Sequence, residues 1–172
     1  MKNITPQDLC DIINNKEKGE YIIIDVRSKV DYNSGHIDGA KNIPFEDLQN
    51  SLDDLKKYET IFVQCNMGNT SSDAYKLLIQ NGFDNVVNLE GGLNAWELKK
   101  LPTKVIKKSI PLMRQQQIVA SALILLSVVL TLFISIYFIF IAAFVGCGLL
   151  YAGLSGNCFM IKILSKMPFN KV

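Results

Sequence analysis

One stretch of this chain combines a nucleophile with a turn that can activate it: Cys65-Asn66-Met67-Gly68-Asn69-Thr70-Ser71. It follows the apolar run Thr60-Ile61-Phe62-Val63-Gln64 and leads into a helical pattern that runs from about Ser72 to Ile79. A buried strand that ends in cysteine and turns straight into a helix places the thiol at a helix N-terminus. Unpaired backbone N–H groups and the positive end of the helix dipole favour an anion there. The same field favours the thiolate, the nucleophilic form of a thiol. The chemistry this predicts is covalent exchange at sulfur.

Other reactive side chains are few. Asp25 and Arg27 end the run Tyr21-Ile22-Ile23-Ile24, at the carboxyl edge where open α/β sheets place their sites. Asp25 is expected to cap a neighbouring turn, while Arg27 either pairs with a local carboxylate or faces the substrate. His36, between Gly35 and Gly39, is read as a hydrogen-bonded structural ring rather than a base for Cys65. Cys10 sits beside an inward stripe of Leu9, Ile12 and Ile13 and reads as a small core residue. The four cysteines form no C-x-x-C pair, and a single histidine completes no zinc set, so neither metal nor cofactor is expected.

The elements that must position Cys65 are legible from periodicity. Thr5-Pro6 reads as a helix start, with Thr5 as N-cap. The apolar run from Tyr21 suits a parallel strand covered on both faces. Residues 34–44 form a turn-rich link into a short strand, and residues 45–58 form one or two short helices. Asn81-Gly82 stops the helix after the cysteine loop. Residues 83–89 read as the last strand, and Glu90-Gly91-Gly92 turns into a short helix with Ala95 and Trp96. Alternating strands and helices predict a parallel sheet with helices on both faces.

Charge divides the chain in two. Residues 1–104 hold twelve Lys and Arg against sixteen acids, a net charge of −4. Residues 105–172 hold Lys107, Lys108, Arg114, Lys162, Lys166 and Lys171 and no acid, a net charge of +6. The overall +2 gives no case for nucleic-acid binding, and a basic tail beside a long apolar stretch points to a membrane. No charged segment with an apolar core opens the chain, so no cleaved signal peptide is expected.

Four linked motifs resemble the single-domain rhodanese family. They are Ile24-Asp25-Val26-Arg27, then Asp31-Tyr32 with Gly35-His36-Ile37-Asp38-Gly39-Ala40-Lys41-Asn42-Ile43-Pro44, then Cys65-x-x-Gly68, then Glu90-Gly91-Gly92-x-x-Ala95-Trp96. The resemblance covers about residues 4 to 101. It implies a doubly wound α/β sheet in a domain spanning residues 1–104, with Cys65 as the sulfur acceptor and the loop from Asn66 to Ser71 cradling the anionic sulfur. The substrates implied are a small donor of sulfane sulfur, thiosulfate or another, and a thiol or cyanide-like acceptor. Asn66, Met67, Gly68, Asn69, Thr70, Ser71 and Arg27 are the expected substrate contacts. Many thiosulfate-using relatives carry Arg where this chain has Thr70. Cys-x-x-Gly-x-Thr is similar to the loop of mercaptopyruvate sulfurtransferases, so thiosulfate is not the expected preferred donor. Position 71 is serine, which removes the arginine that Cys-x5-Arg phosphatases need.

Residues 105–117 read as a connector that keeps Cys65 near a membrane surface. Residues 118–161 carry no charge until Lys162. A single span needs about 20 residues, so two transmembrane helices are expected, near 118–134 and 137–154, with the hairpin tip at Ser135. Residues 162–172 form a basic tail. The flanking cations place both termini and the rhodanese domain in the cytoplasm, against a bacterial inner membrane. Gly148, Ala152 and Gly156 recur every four residues and suit close helix approach, within the hairpin or in a homodimer. The tail resembles the small module fused to inner-membrane rhodaneses, and Cys158 reads as a packing residue near the end of the second helix. Two functions fit these features: a membrane-anchored sulfurtransferase cycling through a Cys65 persulfide, or a thiol or persulfide sensor or delivery adaptor with little turnover of its own.

Overall fold

Three runs of branched and aromatic residues become the central strands of a parallel sheet covered on both faces, as their continuous apolar character requires. The computed structural model describes residues 1–15, 21–106, 110–155, 159–165 and 167. In chain order the first unit, Met1–Lys108, contains β1 (Asn3–Ile4), α1 (Pro6–Asn14), β2 (Tyr21–Asp25), α2 (Lys29–Ser34), β3 (His36–Ile37), β4 (Lys41–Asn42), α3 (Phe45–Leu48), α4 (Leu52–Leu55), β5 (Thr60–Gln64), α5 (Asn69–Gln80), β6 (Val86–Leu89), α6 (Gly92–Leu98) and β7 (Thr103–Lys104). The main sheet has the order β1-β6-β5-β2-β4 and every pairing in it is parallel. Its register sets Asp25 beside Gln64 and Val63 beside Asn88.

Alternate residues face opposite layers. Ile22, Ile24, Val26, Ile61, Val63 and Cys65 pack with Leu48, Leu55, Ala74 and Leu78 from α3, α4 and α5. Ile23, Phe62 and Leu89 pack with Leu9 and Cys10 of α1 and Leu93 and Trp96 of α6. The sheet is therefore covered on both faces, the doubly wound arrangement expected. Thr5 caps α1, its hydroxyl oxygen accepting the Asp8 N–H at 3.3 Å, and Pro6 opens the helix. Trp96 is buried and its indole N–H donates to the Pro102 carbonyl at 3.0 Å, which closes the chain back over α6.

Three boundaries differ from expectation. The helix after the cysteine begins at Asn69, not Ser72, so Asn69, Thr70 and Ser71 form its first turn. The last main-sheet strand begins at Val86 rather than Phe83, because Asp84 and Asn85 are turn formers. A two-stranded antiparallel ribbon, β3 with β7, pairs His36 with Lys104 and Ile37 with Thr103. The first unit runs to Lys108 rather than to residue 104.

The second unit, Ser109–Val172, contains α7 (Leu112–Phe133), a 3-10 turn (Ile136–Phe138), α8 (Ile139–Ser155) and α9 (Phe159–Ser165). α7 begins six residues before the expected 118. The composition change at 118 marks where the apolar face starts, whereas Pro111 sets where the helix starts. Ser135 is the extended residue between the helices, at φ −163° and ψ 141°, the tip expected from sequence. α9 makes part of the expected tail helical. At about 1.5 Å per residue, the 22 residues of α7 span roughly 33 Å, against a hydrocarbon core of about 30 Å. Ile136–Leu154 is long and apolar enough as well, and only 11% and 6% of the two segments' most apolar windows are buried. A core helix of a soluble protein would bury most of its apolar surface; these two leave theirs outward.

The buried residues of this unit are Leu112, Ala120 and Ser127 of α7, Val145 of α8 and Leu164 of α9, among the described residues. Gly148 and Cys147 are exposed, while Ala152 is half-buried. Gly156 and Cys158 lie outside the described residues, as do Lys107, Lys108, Lys166 and Lys171.

Candidate functional site

β5 delivers Cys65 to the carboxyl edge of the sheet, and two glycines shape the turn after it. Gly68 adopts φ 103°, a left-handed conformation that turns the chain directly into α5. The first bond of that helix is Ser72 N–H to the Gly68 carbonyl at 3.0 Å. The N–H groups of Asn69, Thr70 and Ser71 precede it and are not consumed by the helix. The Gly68 N–H itself donates to Cys65 Sγ at 3.1 Å. Cys65 is 3% exposed, so this donor acts on sulfur with little competition from water.

Gly92, at φ 59°, lets the start of α6 press against the same loop; a Cβ there would collide with the Cys65 carbonyl. Leu93 N–H donates to the Cys65 carbonyl at 2.8 Å and Asn94 N–H to the Asn66 carbonyl at 3.0 Å. Because a trans peptide holds its N–H opposite its C=O, pinning these two carbonyls to α6 turns the N–H groups of Asn66 and Met67 away from it. The fixed carbonyls thus orient the donors of the loop.

Arg27 fixes the loop from the other side. Its Nη1 donates to Asn66 Oδ1 at 2.9 Å, its Nη2 to the Gly35 carbonyl at 2.7 Å and to Asp25 Oδ2 at 2.6 Å, and its Nε to Asp25 Oδ1 at 2.9 Å. Asp25 is fully buried and Arg27 is 7% exposed. The carboxylate expected to cap a turn does accept the Arg27 N–H at 3.0 Å, but its larger role is this ion pair. Of the two readings open for Arg27, the local carboxylate pair is present, and the guanidinium grips the loop through Asn66. Asn42 Nδ2 donates to the carbonyls of Asp25 and Arg27, both at 2.9 Å, which ties the end of β2 to β4.

Cys65, Gly68 and Ser71 come together around the sulfur. Asn69 and Thr70 are exposed on the first turn of α5, and Met67 is 52% exposed. His36 stands apart as a structural ring: it stacks on Tyr32 at 3.8 Å between centroids, and its Nδ1 donates to the Tyr32 carbonyl at 2.8 Å. The Tyr32 hydroxyl donates to the Ala40 carbonyl at 2.6 Å. Burial pushes its pKa above the ordinary tyrosine value, the carboxylates of Asp25 and Asp38 add to the rise, and Arg27 opposes it. Cys10 lies on the opposite face of the sheet from Cys65, and both are free thiols. Sequence reasoning does not reach the carbonyl-pinning role of Gly92, although paired glycines before a short helix are its visible signal. It does not reach Gln64 either, which is fully buried, with neither side-chain amide atom hydrogen-bonded among the described residues.

The Rhodanese-like domain model matches residues 8–99. An uncharacterized protein of Synechocystis sp. is 37% identical over 158 residues, 91% of this chain and 88% of that one. That match extends well into the second unit. The thiosulfate sulfurtransferase GlpE of Shewanella oneidensis is 38% identical over 74 residues, 43% of this chain and 73% of that one. Among solved structures, a rhodanese-related protein from Thermoplasma volcanium aligns with a TM-score of 0.54 and 30% identity, over 62% of this chain and 100% of that one.

Proposed function

The chain belongs to the Rhodanese-like domain family, and from that premise we propose that it is a membrane-anchored sulfurtransferase working through a Cys65 persulfide. Kinship to sulfurtransferases supports the reaction class. The observation that carries the reading to Cys65 is the Gly68 N–H held 3.1 Å from a buried, unpaired Sγ at the entrance to α5. In the first step the Cys65 thiolate attacks the outer sulfur of the donor. A new S–S bond forms, the bond from that sulfur to the rest of the donor breaks, and its electron pair leaves with the remainder. In the second step an acceptor thiolate or cyanide-like nucleophile attacks the outer sulfur, the S–S pair returns to Cys65, and the thiolate is restored. The loop donors favour each anionic state without a general base.

Two features pull the choice of donor in opposite directions. No cation lies between Cys65 and Ser71, and Arg27 is committed to Asp25, Gly35 and Asn66. That favours an uncharged or weakly charged leaving group, whereas kinship to a thiosulfate sulfurtransferase favours thiosulfate. The same lack of a cation favours the second reading, a persulfide sensor or delivery adaptor with slow turnover. The two apolar segments of the second unit support anchoring as a hairpin; the cations flanking them in sequence favour both flanks in the cytoplasm, at a bacterial inner membrane, and the sequence spacing of Gly148, Ala152 and Gly156 favours pairing between copies. Steady-state assays with thiosulfate, mercaptopyruvate and small persulfides test the reading. Saturable turnover with at least one donor, lost in Cys65→Ser, supports the enzyme. Stoichiometric loading without turnover supports the sensor, and no reaction at Cys65 with any donor overturns both.

A further inference from the structure

The Cys65 sulfur has a second polar neighbour, and it is a side chain. Ser71 is fully buried in the first turn of α5. The Cys65 S–H donates to its Oγ at 3.4 Å, and that hydroxyl donates to the Gly68 carbonyl at 3.1 Å. The Gly68 carbonyl also receives the Ser72 N–H at 3.0 Å. The hydroxyl's local bond is to a carbonyl already satisfied by the Ser72 N–H, so alanine here would strand no backbone group and bury no polar atom.

A hydroxyl has one proton and two lone pairs, and it rotates to suit its partners. While Cys65 is a thiol, the sulfur is the donor and the hydroxyl proton goes to Gly68. Once Cys65 is a thiolate, the sulfur offers only lone pairs and the hydroxyl proton can turn to it. The Gly68 carbonyl keeps the Ser72 N–H, so the rotation strands no buried acceptor. We infer that Ser71 is a catalytic residue, a hydroxyl rotor that donates to Cys65 Sγ in its thiolate state. Its use in sulfur transfer rests on the function proposed above: it favours the nucleophile of the first step and the leaving group of the second. In the persulfide the charge moves to the outer sulfur, so the contact at Sγ favours return to the thiolate.

The charged groups on the elements around Sγ are the Asp25–Arg27 pair at the end of β2, Asp73 and Lys76 on α5, Glu90 before α6 and Glu97 within it, Glu46 and Asp47 on α3, and Asp53 and Asp54 on α4. Among the described residues, the hydrogen-bond partners of Sγ are the Gly68 N–H, which donates to it, and the Ser71 hydroxyl, which accepts from it, rather than any of these.

The test is iodoacetamide alkylation of Cys65 in the full-length chain, read by peptide mass so that Cys10, Cys147 and Cys158 do not interfere. Rates are compared from mildly acidic to alkaline pH for wild type, Ser71→Ala and Ser71→Thr, with circular dichroism confirming the fold. Ser71→Ala should be about tenfold slower at neutral pH and converge on wild type at alkaline pH, where the thiolate forms unaided. Ser71→Thr, which keeps the hydroxyl, should retain most of the rate. Equal rates for Ser71→Ala and wild type at every pH overturn the inference. So does slowing by the same factor at every pH, the signature of a displaced or shielded sulfur. Alkylation needs no sulfur donor, so the pH pattern can stand even if the persulfide reading fails.

Discussion

Two helix starts in this chain handle their first turns in opposite ways. At α5 no side chain caps the helix, Gly68 turns the backbone, and the first N–H groups remain available around Cys65. At α8 a neighbouring helix closes the turn. The Ser127 hydroxyl of α7 donates to the Phe138 carbonyl at 2.7 Å and accepts the Ala142 N–H at 3.2 Å. It thereby sits between two peptide groups that stand four residues apart, as successive partners in a helix do. The surroundings explain the difference. In the proposed membrane anchor, an unpartnered backbone group would have no water to turn to and must be satisfied internally. At the edge of an α/β sheet water can satisfy unspent donors, and in the proposed reaction they serve the anionic sulfur. The devices that hold the two turns also differ, a buried ion pair in one and a single neutral hydroxyl in the other.

The contrast gives three substitutions with graded effects. Arg27→Ala removes the cation from a fully buried Asp25 and the anchor of Asn66. It should cost about 3–5 kcal/mol of stability to chemical denaturation of the first unit, with sulfur transfer lost. A cost under about 1 kcal/mol would mean the pair does not hold the open turn. Ser127→Ala should lower the unfolding stability of the hairpin in detergent by about 1–2 kcal/mol and leave Cys65 alkylation at the wild-type rate. An unchanged hairpin would show that the closed turn does not need its hydroxyl. Gln64→Leu should have the smallest effect and the opposite sign, raising thermal stability by about 1 kcal/mol, because it replaces an amide without protein partners among the described residues. Destabilisation would show that the amide is engaged.

Much of the open turn is legible in the sequence, because its parts are local. A strand ending in cysteine, a glycine three residues later and a helical period after that are contiguous signals. Composition misplaces the start of α5 by three residues, because one left-handed glycine sets it instead. The loop partner of Arg27 is not legible, since Asn66 lies 39 residues away and meets it only when β2 and β5 pair. The β3–β7 ribbon is hidden for the same reason: two-residue strands carry no periodicity. In the second unit, length and apolarity reveal two helices, and the structure has Ser135 at the expected tip. Ser127 is invisible, because a single serine in an apolar run reads as a small residue until the opposing helix is known. Of the small residues spaced four apart, Gly148 is exposed and Ala152 half-buried, while Ala120 and Ser127 of α7 are buried.

In the proposed reaction Cys65 carries the transferred sulfur. Its most direct test is the intact mass of the full-length protein after exposure to a panel of sulfane-sulfur donors, with the modified peptide identified. The expected result is a gain of one sulfur atom on Cys65, reversed by a thiol acceptor and absent in Cys65→Ser. A folded protein whose Cys65 stays unmodified with every donor, or whose added sulfur persists in Cys65→Ser, would contradict it.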